Sequence, residues 1–156
     1  MADETEPSAL TITRLLPATP DDVFDAYTDA KKQTIWFGLL STDPGIVEIE
    51  VDLRVGGVQT STWGPNRDQL FHETQVFTVV DRPHRLATTS TGGGPDGQAM
   101  KTDVDLTFEE QDGGTLVTVG QSGFPSNEMR DFFSTQVWPG AFDRIEAYLT
   151  RTASDS

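Results

Sequence analysis

Hydrophobic and polar residues alternate through the middle of the chain, and this period of two predicts a run of β-strands. The clearest case is Met100 to Phe108, where apolar positions alternate with Lys101, Asp103 and Asp105. By the same pattern, strands are predicted at residues 10–16, 46–55, 58–63, 71–80, 85–91, 100–108 and 115–121. Glycine-rich breaks such as Gly56-Gly57 and the segment Gly92 to Gly97 predict bends and loops between them.

A period near 3.6 replaces this alternation in three places. Thr19 is a good N-cap and Pro20 suits a first helical position, so a short helix should follow them, and a second is predicted over Ala30 to Phe37, ending at Gly38. Ser126 should cap a long last helix with an apolar stripe. Pro139-Gly140 interrupts that helix and predicts a kink or a short break.

The order of elements is therefore one strand, two short helices, about six strands and one long helix, which indicates an α+β fold. An antiparallel sheet of about seven strands must bury one face, and the last helix is the long amphipathic element that can cover it. We expect the twisted sheet to curl around this helix. The predicted organisation is a flexible arm at residues 1–8, one domain at 9–151 and a flexible tail at 152–156.

Composition narrows the possible partners. The 156 residues are 35% hydrophobic and carry a net charge of −14, so we expect a folded domain that repels nucleic acid and anionic lipid. No apolar run reaches the length of a membrane helix, no signal peptide is visible and cysteine is absent, so a cytoplasmic location is expected. A monomer or a homodimer is expected. The acidic surface fits either a high-salt organism or an ordinary acidic protein.

Candidate catalytic groups are few. Only His72 and His84 are histidines; His84 is expected in an exposed turn, and His72 either lies on a rim or points inward as a polar anchor. Alternation places Asp103 and Asp105 on the outer face of the sheet. Glu48 and Glu50 point either outward or into a wet cavity, and the outward orientation is favoured. We therefore predict no catalytic pair, no metal site and no cofactor.

The aromatic residues are more informative, because several fall on elements that such a fold brings together. Tryptophan suits a pocket, since its N–H needs a partner when buried, and methionine can form an adaptable wall. The predicted ligand-binding residues are Trp36, Trp63, Phe71, His72, Met100, Phe133, Val137 and Trp138. The alternative for each is ordinary packing in the core.

Five segments in order resemble START-like proteins of the SRPBCC superfamily. They are Val23 to Asp29 with Trp36-Phe37, Asp52 to Gly57 with Trp63, Val76 to Leu86, Thr107 to Thr115, and Trp138 to Leu149. The most similar branch is the one named for the C-terminal domain of the activator of the ninety-kilodalton heat-shock chaperone ATPase. The resemblance covers residues 9 to 150 and implies the helix-grip fold, with a cavity between sheet and helix.

The resemblance implies binding of a small hydrophobic or amphipathic molecule in that cavity. A cyclase or hydrolase that uses the same cavity is the alternative, and it requires an acid/base pair there. A third hypothesis is a regulator of a chaperone ATPase with a protein partner. The chaperone activator has an additional N-terminal domain and this chain begins with the first strand, so chaperone regulation is not the leading expectation.

Overall fold

The computed structural model describes residues 8–37, 45–93 and 99–154. Seven strands are present within these ranges, and all neighbouring strands are antiparallel. They are β1 (Ser8–Leu16), β2 (Ile46–Val51), β3 (Val58–Gly64), β4 (Phe71–Asp81), β5 (Arg85–Gly93), β6 (Ala99–Gln111) and β7 (Gly114–Phe124). The helices are α1 (Pro20–Thr28), α2 (Ala30–Phe37), α3 (Asn127–Phe132) and α4 (Trp138–Ser154), with a π-helical turn at Phe133–Val137.

The strand order is β1-β7-β6-β5-β4-β3-β2, a meander whose first strand returns to the side of the last. One face of this curved sheet holds the core and faces α4; we call it the concave face and the other the convex face. The structure thus confirms the predicted α+β helix-grip fold. None of the described helices is both long enough and apolar enough to cross a membrane.

The core fills the end of the concave face nearest α1. Phe108, Val117 and Val119 from β6 and β7 pack with Phe24 of α1 and Phe142 of α4. The same cluster includes Leu16, Phe77, Leu86, Leu106, Ile145 and Leu149. These apolar side chains are largely removed from water, which is the main favourable contribution to folding.

An ion-pair cluster joins α4 to the edge strand β1. The Nη2 atom of Arg14 lies 2.8 Å from Asp143 Oδ1 and 3.2 Å from Glu146 Oε1. Its guanidinium also lies 6.0 Å from the centre of the Phe142 ring. The two carboxylates raise the pKa of Arg14, and the cluster helps to set the position of α4 over the sheet.

The helix starts follow their sequence signals. The Thr19 side chain accepts a hydrogen bond from the backbone N–H of Asp22, and Ser126 accepts one from Met129. Helix α2 has the predicted bounds, while Gly38, its predicted stop, lies outside the described residues. Both caps satisfy N–H groups that have no partner within the helix.

The irregularity predicted at Pro139 lies in the turn before it. The N–H of Trp138 bonds to the carbonyl of Phe133, five residues earlier, in the π-helical turn. Proline has no N–H to give to the carbonyl of Thr135, and a wider turn accommodates the missing bond. Helical backbone nevertheless runs from Asn127 to Ser154.

Most strands extend one to three residues beyond the predicted ranges, and the ends of β2 and β5 differ for identifiable reasons. Strand β2 ends at Val51, because residues 52–57 form a corner in which Gly57 N–H bonds to Arg54. Gly92 and Gly93, predicted as loop, belong to β5 and pair with Met100 and Ala99. The sheet ladder satisfies their backbone groups despite the missing side chains; residues 94–98 lie outside the described part.

Candidate functional site

Strands β3 to β6 reverse the usual burial pattern at one end of the concave face. Val58 and Val76 form a cross-strand pair on the convex face and are 38% and 39% exposed. The polar Gln59, Ser61 and Ser90 on the concave face are buried. Because buried polar groups are costly without hydrogen bonds, this arrangement marks a part of the interior that is not simple core.

These residues form a continuous row across the sheet. Gln59 pairs with Gln75, Gln75 with Ser90, and Ser90 with Thr102. Direct cross-strand partners lie on one face, so four neighbouring strands present polar side chains side by side. We define the polar belt as Gln59, Ser61, Glu73, Gln75, Ser90, Thr102 and Gln121.

Helix α2 closes one end of the polar belt. Gln33 Nε2 donates to Gln59 Oε1 at 3.2 Å, and Gln59 Nε2 donates back to Gln33 Oε1 at 2.8 Å. Gln59 Nε2 is also 3.3 Å from Ser61 Oγ. The two buried amides satisfy each other, and this links the helix to β3.

Helix α4 closes the other end. The indole Nε1 of Trp138 donates to Gln121 Oε1 at 2.8 Å, and Gln121 Nε2 donates to Thr102 Oγ1 at 2.9 Å. The polar belt is therefore bonded to a helix at both ends, which favours a fixed arrangement of the groups between them.

Glu73 is the charged member of the polar belt. Ser90 Oγ donates to its Oε2 at 2.7 Å, and Gln75 Nε2 donates to its Oε1 at 3.0 Å. Burial raises the pKa of Glu73, while the two hydrogen bonds act in the opposite direction. The side chain remains partly exposed, so a molecule on the concave side can reach it.

An aromatic cluster borders the polar belt toward the edge of the sheet. The rings of Trp63 and Phe71 stack with centroids 5.8 Å apart and an angle of 14° between their planes. Phe37 of α2 meets Trp63 edge to face, also at 5.8 Å. We call Phe37, Trp63 and Phe71 the aromatic rim. Phe71 is 41% exposed, so the rim presents apolar surface to solvent.

The structure places five of the predicted ligand-binding residues at this end of the sheet, by strand register and packing. Trp63 and Phe71 touch each other in the aromatic rim, and Met100 pairs with Gly92 next to Glu73. Trp138 bonds to the polar belt. Phe133 lies further off, against Phe124 at 5.2 Å at the β7 side.

The other three predicted residues lie elsewhere. Trp36 is buried, and its Nε1 donates to the carbonyl of Ala26 at 2.7 Å, so the protein itself satisfies this N–H. His72 is exposed on the convex face, 3.1 Å from Thr62 Oγ1 through Nδ1. Val137 is half-buried in the π-helical turn.

The acidic residues assigned to the outer face are found there. Asp105 pairs with Arg85 at 2.7 Å, Asp103 accepts from Thr89, and Glu48 lies 3.3 Å from Arg67. Within residues 8–37, 45–93 and 99–154, no group of three or more acidic or histidine side chains is placed to hold a metal ion.

A shallow depression of about 480 Å³ lies on the convex face. Its walls are short side chains and one ion pair, and they include Thr11, Arg85, Ala87, Asp105, Gly120 and Ser122. The depression is open, and its carboxylates already have protein partners. The concave face offers a more selective site, since Glu73 there combines partial burial with uncharged partners.

None of the polar belt residues was among the ligand-binding residues predicted from the sequence. A signal was nevertheless present, because Phe71, Glu73, Gln75 and Phe77 recur at intervals of two on one strand. Phe77 is a core residue at 1% exposure, and the same phase therefore directs Glu73 and Gln75 inward. Their polar character made an outward orientation the ordinary expectation.

The raised pKa of Glu73 predicts a pH-dependent effect of Glu73→Gln on stability. A folded-state pKa above the ordinary 4.5 means that the native state binds the proton more tightly than the unfolded state. The wild type therefore loses stability as the pH rises from the unfolded-state pKa to the folded-state pKa, and the glutamine variant lacks this loss. We expect the variant to gain stability relative to wild type as the pH is raised from 4.5 towards neutrality, as measured by urea unfolding.

The matched control is Glu109→Gln, which removes the same charge at an exposed position on β6. At each pH, the effect of Glu73→Gln on the free energy of unfolding is compared with the effect of this control. The assigned environment of Glu73 is contradicted if the stability gained by Glu73→Gln relative to wild type does not change with pH, or if it grows as the pH falls.

Comparison with known proteins agrees with this architecture. Residues 17–150 match the family model described as activator of Hsp90 ATPase homolog 1-like protein. A search of the curated proteins found no match.

Solved structures share the fold. An uncharacterized protein from Rhizobium leguminosarum superposes with a TM-score of 0.79 at 19% identity, over 94% of this chain and 96% of its own. Protein Ms6760 from Mycobacterium smegmatis gives 0.71 at 26% identity, over 95% and 98%. CalU16 from Micromonospora echinospora gives 0.64 at 19% identity, over 96% and 80%. The family match spans most of the chain, and the protein therefore belongs to the activator of Hsp90 ATPase homolog 1-like family, with the START-like fold of the SRPBCC superfamily.

Proposed function

We propose that this protein binds a small amphipathic molecule between the concave face and α4. The observation that carries the proposal is the position of Glu73, a partly exposed member of the polar belt beside the aromatic rim. The apolar part of the molecule contacts Trp63, Phe71 and Met100, and its polar end contacts Glu73. Sites for small molecules commonly combine apolar walls with a few placed polar groups, and this fold commonly binds hydrophobic ligands.

Binding without covalent chemistry requires fewer functional groups in the site than acid/base catalysis does. An acid/base mechanism needs a second titratable group within hydrogen-bond reach of the first. In the described structure, the side chains that donate hydrogen bonds to Glu73 are the uncharged Ser90 and Gln75. One polar anchor beside an apolar wall is sufficient for the binding function.

A bulky side chain at Gly92 tests the proposed site directly, because it should block access of the ligand to Glu73. It faces Glu73 across the β4–β5 ladder, and an added Cβ would make only ordinary contacts, the nearest at 3.6 Å from the His72 carbonyl oxygen. Gly92→Phe should therefore place a ring on the concave face without displacing the backbone. Gly120→Phe is the matched control, since it adds the same ring on the convex face, where a Cβ meets nothing within 4 Å.

The measurement is native mass spectrometry of freshly purified protein, with organic extraction of any bound molecule and titration of that molecule back into each variant. We expect a bound small molecule in wild type and Gly120→Phe, and at least about tenfold weaker binding by Gly92→Phe. Equal binding by both variants places the ligand elsewhere. An empty wild-type protein that lipids and aromatic compounds do not stabilise contradicts the proposed function.

A further inference from the structure

We propose that the site proposed above, between the concave face and α4, selects ligands whose polar end is a protonated amine, with the ammonium group bound by Glu73 beside the aromatic rim. This inference rests on the binding function proposed above and adds the chemical class of the ligand. It follows from the surroundings of Glu73, which leave one part of its hydrogen-bonding capacity unused.

The first observation is that the described part of the chain provides no counter-charge for this carboxyl group. In the described structure no Lys, Arg or His nitrogen forms an ion pair with Glu73. Arg144, the partly buried cation of α4, forms no ion pair with Glu73 either; burial lowers the pKa of Arg144, and the neighbouring Asp143 raises it. Removing a carboxylate even partly from water is costly without a counter-charge, so a cation from outside the chain fits this position.

The amino-acid sequence supports the same conclusion for the segments that border the described part. Residues 38–44 and 94–98 contain no lysine, arginine or histidine. Of the basic side chains, only that of Arg151, at the far end of α4, lies outside the description. The net charge of −14 further favours the approach of a cation over an anion.

The second observation is the capacity of the carboxyl oxygens. Ser90 donates to Oε2 and Gln75 donates to Oε1, one hydrogen bond each. An ionised carboxylate has about four acceptor positions, so about two remain for a ligand. An ammonium group has donors only and matches these positions, whereas a ligand carboxylate would repel Glu73.

The third observation is that the aromatic rim lies close enough to Glu73 for one ligand to contact both. Phe71 lies two residues before Glu73 on the same strand face, about 7 Å along the strand. The ring stacks on Trp63, and it is exposed enough for a ligand to contact. Aromatic faces attract cations and also cover the apolar carbons attached to the nitrogen. The rim and Glu73 together therefore match an alkylammonium or arylalkylammonium group.

The test uses three probes that share one ring and differ in charge: naphthylmethylamine, naphthalenemethanol and naphthoate. Their dissociation constants are measured by isothermal titration in high salt, which screens the general attraction of cations to an acidic surface. We expect the amine to bind at least about tenfold more tightly than the alcohol, because charge-assisted hydrogen bonds are stronger than neutral ones. Naphthoate should bind most weakly.

Glu73→Gln and Glu109→Gln reduce the net negative charge equally, so they separate the local effect from the global one. Glu73→Gln should reduce the preference for amine over alcohol to about twofold or less, and Glu109→Gln should leave the preference unchanged. The inference is overturned if the wild type binds the alcohol as tightly as the amine, or if the preference survives Glu73→Gln.

The outcomes distinguish this inference from the proposed function. If the alcohol binds equally well and Gly92→Phe blocks it, the pocket stands and the amine selectivity is wrong. If none of the probes binds at millimolar concentration, and the extracted protein is empty, both the pocket and the amine selectivity are contradicted.

Discussion

Phe142→Ala is expected to lower the free energy of unfolding by about 3–5 kcal/mol. The Phe142 side chain is 1% exposed, and it contacts the core between sheet and α4. Its ring also lies 6.1 Å from the Trp138 ring and beneath the Arg14 guanidinium. Truncation removes these contacts and leaves a cavity that helix and sheet cannot readily close.

Phe132→Ala is the matched control for this prediction. The Phe132 side chain is 53% exposed, and its ring meets Phe133 edge to face at 6.1 Å. Its truncation should cost less than about 1 kcal/mol. Urea unfolding followed by tryptophan fluorescence measures both variants. Losses of similar size would mean that α4 is not anchored through Phe142 as described.

Gly57→Ala is expected to destabilise the protein by about 3 kcal/mol. The corner between β2 and β3 brings the Asp52 carbonyl oxygen so close that an added Cβ would overlap it. The neighbouring atom belongs to the backbone, so the corner itself must move. It also holds β4 in place, because Phe77 N–H bonds to the Gly57 carbonyl and Gly56 N–H bonds to the Phe77 carbonyl, at 3.0 and 2.8 Å.

Gly120→Ala provides the comparison at a strand position. A Cβ there meets no atom within 4 Å, and the substitution restricts the unfolded chain. We expect this substitution to stabilise the protein slightly, by no more than about 0.5–1 kcal/mol. Thermal unfolding of Gly57→Ala and Gly120→Ala, compared with wild type, measures both effects. An unaffected Gly57→Ala variant would show that the corner tolerates a side chain.

The fold could be predicted because its local signals agree with its packing. Thr19 and Pro20 start α1 as their chemistry requires, and the apolar phase of Met100 to Phe108 is that of the buried face of β6. Where the boundaries differed, tertiary pairing prevailed. Gly92 and Gly93 have weak strand propensity, yet the ladder to β4 and β6 keeps them in β5.

The site was harder to predict, because sequence patterns assign polar residues to water. Gln59 and Gln75 break that rule, since each is hydrogen-bonded inside the domain. Only the phase of a known core residue, Phe77, shows that Glu73 faces inward and His72 outward. Histidine is a common functional residue type and can be singled out from the sequence alone. The environment of Glu73, in contrast, depends on contacts between strands that are distant in sequence.

The reciprocal amide pair of Gln33 and Gln59 has an evolutionary consequence. Loss of either side chain leaves a buried amide without its partner, which costs about 1–3 kcal/mol, whereas replacing both with apolar side chains of similar shape is nearly neutral. A lineage that changes one position first passes through a less stable protein. We therefore expect the two positions to be inherited as a unit, and substitutions that abolish the pair to be found together in descendants of this chain.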